Sequence, residues 1–191
     1  MTSNESNKNH STIISVFSGS KENDLHKFNV SVKQLFQLIN KKKNITIAYG
    51  GGKTGLMKEI FEGCINNNIP MISVNCERWK TEEEAQVCLE THYFDSILDR
   101  QNKLINIADA YIVLPGGVGT LYEMLQAVTC NDVKETNKPI FVLNVNNYFM
   151  HLFDFLDWSR KCGMILKSNT ELNIHVFNDP FSLVSKLHQT L

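Results

Sequence analysis

The chain has no Cys-x-x-Cys pair, no histidine spacing of the kind a metal needs, no block of like charge and no apolar run long enough to cross a bilayer. Each absence excludes something. Five cysteines, at 64, 76, 88, 130 and 162, are an odd number without a Cys-x-x-Cys pair, which argues for reduced thiols in a cytosolic compartment, mostly small core residues. The histidines (10, 26, 92, 151, 175 and 188) and the thiols offer no ligand set, and no metal is expected. His175, alternating within an apolar stretch, reads as a packed or surface residue. With 19 basic and 20 acidic residues the net charge is −1, and no basic run exceeds Lys41-Lys42-Lys43, which suits the end of a helix better than a nucleic-acid surface. Residues 1–11 are polar, without the apolar centre of a signal peptide, and read as a frayed tail. No membrane segment is expected, and the location expected is cytoplasmic.

What is present is ordinary for one globular domain: 191 residues, 42% hydrophobic and 20% charged, enough to enclose a core over residues 12–191. Short apolar runs at 12–17, 45–49, 69–74, 110–114, 139–144 and 174–177 predict strands. Between them, apolar residues at helical spacing predict helices over 25–40, 56–67, 93–108, 121–133 and 149–161, with Arg100 on the border of its helix's apolar stripe. Asp179-Pro180 predicts a capped start to a last helix. Residues 75–91 are charged and carry no clear period beyond a short helix over 81–89. Strands alternating with helices predict an α/β fold, a doubly wound, Rossmann-like parallel sheet flanked by helices, with ligands beyond the carboxyl ends of the strands.

At that edge lies Leu114-Pro115-Gly116-Gly117-Val118-Gly119-Thr120-Leu121-Tyr122-Glu123, a glycine turn between strand and helix. Such a turn lets a ligand approach the backbone closely, and the free N–H groups and positive end of the helix dipole favour phosphate. Thr120-x-x-Glu123 has two readings. It matches a capping box, in which the two side chains satisfy backbone donors at the helix start. It also places a carboxylate where it can serve as a general base or face a developing cation.

A second turn, Gly50-Gly51-Gly52-Lys53-Thr54-Gly55, follows the strand at 45–49. Its Gly50-x-Gly52-x-x-Gly55 spacing matches the dinucleotide fingerprint, with Glu77 about 20 residues on, so a NAD-binding reading stays open although the turn sits in the second rather than the first βα unit. A P-loop is excluded, because position 47 is Ile where that pattern needs Gly. Glycine turns with an Arg and a Glu nearby, and neither a nucleophile elbow nor a metal, suit cleavage at an anomeric carbon. There a carboxylate stabilises an oxocarbenium-like centre or activates water.

Two segments make the reading specific. Tyr49-Gly-Gly-Gly-Lys-Thr-Gly-Leu-Met57 and Pro115-Gly-Gly-Val-Gly-Thr-Leu-Tyr-Glu123 resemble the LONELY GUY family of nucleoside 5′-monophosphate phosphoribohydrolases, often labelled lysine decarboxylases. The similarity runs from Val16-Phe-Ser-Gly-Ser20 to Gly163-Met-Ile165. The resemblance implies hydrolysis of AMP or an N6-substituted AMP, such as a cytokinin riboside monophosphate, to free base and ribose 5-phosphate. It implies no cofactor, and it implies a homodimer with sites close to the subunit interface. It puts the catalytic pair on Arg100 and Glu123, and substrate contacts on Gly117, Val118, Gly119, Thr120 and Thr129, with Glu82 a further one. Gly51, Gly52 and Lys53 join the substrate-binding set, Lys53 as a source of phosphate charge. Four positions depart from the pattern. The family's Met-His-x-Arg-Lys reads Ile97-Leu98-Asp99-Arg100-Gln101, and Tyr122 stands where the family has the first of two glutamates. A non-catalytic nucleotide or molybdenum-cofactor carrier of the same fold is the alternative, and a structural Arg100 packing its stem along the helix is the bland reading of that residue.

Overall fold

A computed structural model of the chain describes residues 11–22, 26–39, 44–80 and 87–191. The expected tail apart from Ser11, the Lys41-Lys42-Lys43 triplet, most of the short helix expected over 81–89, and Glu82 lie outside the described residues. In chain order the elements are β1 (Thr12–Phe17), α1 (His26–Ile39), β2 (Ile45–Tyr49), α2 (Gly55–Asn66), β3 (Met71–Cys76), β4 (Glu90–Phe94), α3 (Ile97–Ile107), β5 (Ala110–Val113), α4 (Val118–Asp132), β6 (Ile140–Leu143), α5 (Met150–Lys161), β7 (Ile174–Phe177) and α6 (Pro180–Thr190). Short 3₁₀ turns cover Glu77–Trp79 and Val145–Asn147.

All seven strands pair in parallel, in the order β4-β3-β2-β1-β5-β6-β7. The order reverses at β1, which pairs with β2 on one side and β5 on the other, so the crevice that parallel sheets use for ligands opens above the ends of β1 and β5. Strands β2, β5 and β6 are buried throughout, because helices cover both faces, and that is why they read as unbroken apolar runs. Alternate residues face two cores. Ile14, Ile47 and Ile112 pack with Val32, Phe36, Ile60 and Leu187 of α1, α2 and α6; Phe17, Tyr111 and Val113 pack with Leu104, Met124 and Ala127 of α3 and α4. The cap expected at Asp179 is formed, its side chain accepting from the Ser182 amide at 2.8 Å, with Pro180 at the first helical position.

Three expectations are corrected. The helix predicted from residue 93 is a strand, β4, followed by α3, which begins only at Ile97 behind a Ser96 cap. β4 reads Glu90-Thr-His-Tyr-Phe and lies half exposed at the sheet edge, so it lacks the apolar run of an inner strand. Helix α4 starts at Val118, three residues earlier than predicted, with Gly117 at its cap position. Of the cysteines expected in the core, Cys64 and Cys76 are buried, while Cys88 and Cys130 are half-buried and Cys162 is exposed; all five are free thiols.

Candidate functional site

At the reversal point the chain ends β1 with Ser18-Gly19-Ser20 and β5 with Pro115-Gly116-Gly117. The two loops are tied together: the Gly19 amide donates to the Pro115 carbonyl at 3.1 Å, and Leu114 N donates to Phe17 O at 2.9 Å. A Cβ on Gly116 would lie 2.7 Å from the Gly19 nitrogen and 2.1 Å from Thr120 Oγ1, so this approach excludes any side chain at 116. From the other side, Leu56 N and Thr54 Oγ1 at the start of α2 donate to the carbonyls of Gly19 (2.9 Å) and Ser20 (2.8 Å).

Above these loops opens a cavity of about 950 Å³. Its polar floor comprises Ser18, the Gly117 and Gly119 backbone, Thr120, Arg100, Gln101 and Glu123, and its other walls include Phe28, Met57, Trp79, Ile97 and Tyr148. Leu121 N makes the first helical bond, donating to the Gly117 carbonyl at 3.1 Å, so the amides of Val118, Gly119 and Thr120 have no carbonyl one turn earlier in the helix, and they lie at the positive end of a 15-residue dipole. Tyr148 braces this loop: its hydroxyl donates to the Gly116 carbonyl at 2.8 Å while its ring meets Phe28 edge-on with centroids 5.3 Å apart.

Arg100 and Glu123 form a buried ion pair, Nη1 donating to Oε1 at 2.9 Å, with Arg100 6% and Glu123 5% exposed. Arg100 Nε donates to the Val74 carbonyl at 3.0 Å, which fixes the guanidinium across the end of β3. Burial drives the Glu123 carboxyl above its ordinary range, and the charge and hydrogen bond of Arg100 offset that only in part. This geometry overturns the capping-box reading. Thr120 sits inside the first turn of α4 rather than at its cap, the helix start has no side-chain cap, and the Glu123 carboxylate is spent on Arg100. Arg100 is held by its head group, through Glu123 and the Val74 carbonyl, as well as being buried along its length.

Of the residues singled out from sequence, Arg100, Gly117, Val118, Gly119, Thr120 and Glu123 come together around the cavity. Gly51, Gly52 and Lys53 are not among the residues that line it. The second glycine turn makes room for the protein's own atoms: a Cβ on Gly50 would meet Arg100 Nη2 at 2.4 Å, one on Gly52 would meet Met57 Sδ at 2.7 Å, and one on Gly55 would meet the Ser20 backbone at 2.5 Å. Thr129 lies on the exposed side of α4, its hydroxyl donating back to the Leu125 carbonyl at 2.8 Å. Phe28, Met57, Trp79 and Tyr148 were not anticipated. Phe28 and Met57 pass for core residues by spacing, and nothing in the pattern around Trp79 or Tyr148 marks a cavity wall.

The family model described as "Possible lysine decarboxylase" matches residues 57–187. Among curated proteins, the chain is 29% identical over 177 residues to a "Probable cytokinin riboside 5'-monophosphate phosphoribohydrolase" of Oryza sativa subsp. japonica, covering 92% of this chain and 77% of that protein. It is 32% identical over 124 residues to a "Cytokinin riboside 5'-monophosphate phosphoribohydrolase" of Arabidopsis thaliana, covering 64% of this chain but 58% of that protein, less than two thirds of its length. Among solved structures, the molybdenum cofactor binding protein of Rippkaea orientalis superposes with a TM-score of 0.69 at 19% identity, covering 95% of this chain and 98% of that one. The Moco carrier protein of Chlamydomonas reinhardtii superposes with a TM-score of 0.67 at 18% identity, covering 94% and 97%. At those identities the two structures share the fold.

Proposed function

This chain belongs to the family whose model is described as "Possible lysine decarboxylase", the LONELY GUY family, and from that premise we propose that it hydrolyses the N-glycosidic bond of a purine nucleoside 5′-monophosphate. The observation that carries the reading is the Arg100–Glu123 pair set one helical turn beyond the Gly117–Gly119 amides, inside a cavity of nucleotide size. The 5′-phosphate docks on the α4 amides, where the helix dipole and free N–H groups favour an anion. That places the ribose over Glu123. As the C1′–N bond breaks, its electrons leave with the base, and Glu123 faces the positive charge that grows at C1′. Water then adds to C1′ and gives up a proton to Glu123, and that proton passes on to the nitrogen of the departing base, which returns Glu123 to its carboxylate; the products are free base and ribose 5-phosphate. Arg100 stays bound to Glu123 and keeps a buried carboxylate ionised between a phosphate and its own desolvation.

The substrate is AMP or an N6-substituted AMP of the cytokinin riboside type, and the apolar walls at Phe28, Met57 and Trp79 suit a stacked base. The active form is a homodimer. Val118, Tyr122, Leu125, Thr129 and Val133 form an exposed stripe along α4, and an apolar patch of this kind beside a cavity marks an interaction surface. Among the described residues no helix is long and apolar enough to cross a membrane.

The test is to incubate the pure protein with a panel of nucleoside monophosphates and follow free base by chromatography. Base release from AMP or an N6-alkyl AMP, reduced by about 10²-fold or more in Glu123→Gln at an unchanged fold, is the expected result. Binding followed by release of intact ligand would identify a carrier instead, the role named for the Chlamydomonas protein. A melting shift with NAD and none with monophosphates would mark a dinucleotide site.

A further inference from the structure

Gln101 stands in the cavity wall one residue after Arg100, 1% exposed, and neither its amide oxygen nor its amide nitrogen has a hydrogen-bond partner among the described residues. Leaving a buried polar group unpaired is costly, so a side chain orphaned at both ends in the wall of a cavity marks a place that a ligand completes. Two more orphans line the same cavity: Ser18 Oγ and Thr120 Oγ1, in residues 4% and 2% exposed. Thr120 lies one helical turn before Glu123, between the α4 amides and the carboxylate.

The chemistry of the amide selects its partner. A phosphate offers only acceptors, so it would satisfy the nitrogen and repel the oxygen; a cation would do the reverse. A vicinal diol both donates and accepts in one rigid unit. Resting on the nucleotide hydrolase reading above, we propose that Gln101 receives the ribose of the substrate. Its amide oxygen accepts from one hydroxyl of the cis-diol and its amide nitrogen donates to the other, so that the site selects ribonucleotides over 2′-deoxyribonucleotides. A purine edge also carries a donor beside an acceptor. The aromatic and thioether side of the cavity, at Phe28, Met57, Trp79 and Tyr148, is the surface on which a base stacks. Gln101 instead adjoins the arginine that holds Glu123. Glu123 acts at C1′, and the 2′-hydroxyl is on the next carbon.

The test compares wild type with Gln101→Leu and Gln101→Met, which replace the amide with apolar groups of similar size. Two ratios are read: kcat/KM for AMP against 2′-deoxy-AMP, and calorimetric affinity for ribose 5-phosphate against 2-deoxyribose 5-phosphate. Wild type favours the ribo form at least tenfold in both, and either substitution brings the ratios towards one without lowering the melting temperature, since an unpaired buried amide has been removed. Ratios unchanged by both substitutions overturn the assignment. So does a loss that is equal for ribo and deoxy substrates but differs between AMP and IMP, which would make Gln101 a reader of the base. Should no nucleotide lose its base even in wild type, the hydrolase reading fails, and the sugar phosphate affinities still decide the role of Gln101.

Discussion

Gly50 and Arg100 occupy one space: a Cβ at residue 50 would lie 2.4 Å from Arg100 Nη2, so the guanidinium fills the volume that any side chain there would take. The second glycine turn therefore contributes to the site through the arginine it admits. Gly50→Ala is a direct probe of this, because residue 50 does not have the positive φ that would strain an alanine. The new methyl displaces the guanidinium from Glu123. Base release is expected to fall at least tenfold, with overpacking costing about 1–3 kcal/mol in denaturant unfolding. Full activity in this variant would show that Arg100 need not sit where the structure holds it.

The inner strands were legible because helices bury both their faces, so β1, β2, β5 and β6 show as apolar runs whatever the rest of the chain does. β4 was not, since an edge strand with a half-exposed Glu90-Thr-His-Tyr-Phe has no reason to be apolar. The start of α4 was misplaced because Val118 is 85% exposed and Gly119 carries no side chain, leaving its first turn without a core-facing residue until Thr120. The turn that joins β5 to α4 was visible in its glycines. The contact between Arg100 and Glu123, 23 residues apart, was not, since local spacing carries no information on which side chains meet across α3 and α4. Without that contact, a capping box was a sound reading of Thr120 and Glu123. The orphaned amide of Gln101 likewise emerges only once the cavity exists.

Burial of that pair changes what loss of the arginine should do. From sequence alone, Arg100→Ala would be expected to abolish base release and leave the melting temperature near wild type. With both residues no more than 6% exposed, removing Arg100 strands a carboxylate in the interior, which costs about 3–5 kcal/mol. The double variant Arg100→Met with Glu123→Leu removes both charges and is expected to unfold at or above the wild-type denaturant midpoint while being inactive. If the single variant proved as stable as wild type, the pair would be open to water in solution.

The raised pKa of Glu123 sets the acid limb of the pH profile. The reaction as proposed needs the ionised carboxylate, and burial favours the protonated form more than Arg100 opposes it. Activity is therefore lost as pH falls through a value above the ordinary 4.5 of a glutamate, not at or below it. The measurement is kcat/KM for AMP against pH, which reports the free enzyme's groups, with circular dichroism confirming that the fold persists across the range. A limb at or below 4.5 would mean that Arg100 dominates the pair or that another group titrates.

The exposed stripe on α4 makes the last prediction. Val118, Tyr122, Leu125, Thr129 and Val133 recur at three- and four-residue spacing, so they share one helix face, and Val118 and Tyr122 also border the cavity. If that face pairs with its own copy, a cation at its centre is buried against an identical cation in the partner, and like charges brought together there oppose assembly. Leu125 is the position to change: it is 39% exposed and does not line the cavity, so its replacement disturbs neither the core nor the glycine turn at the start of α4. Leu125→Arg is expected to move the protein from dimer to monomer in sedimentation velocity, with the melting transition of the fold retained. Because Val118 and Tyr122 connect the stripe to the site, base release should weaken along with assembly and recover as protein concentration is raised. A wild-type protein that sediments as a monomer at micromolar concentration while turning over substrate would remove the dimer from the proposal and leave the stripe free for a different partner.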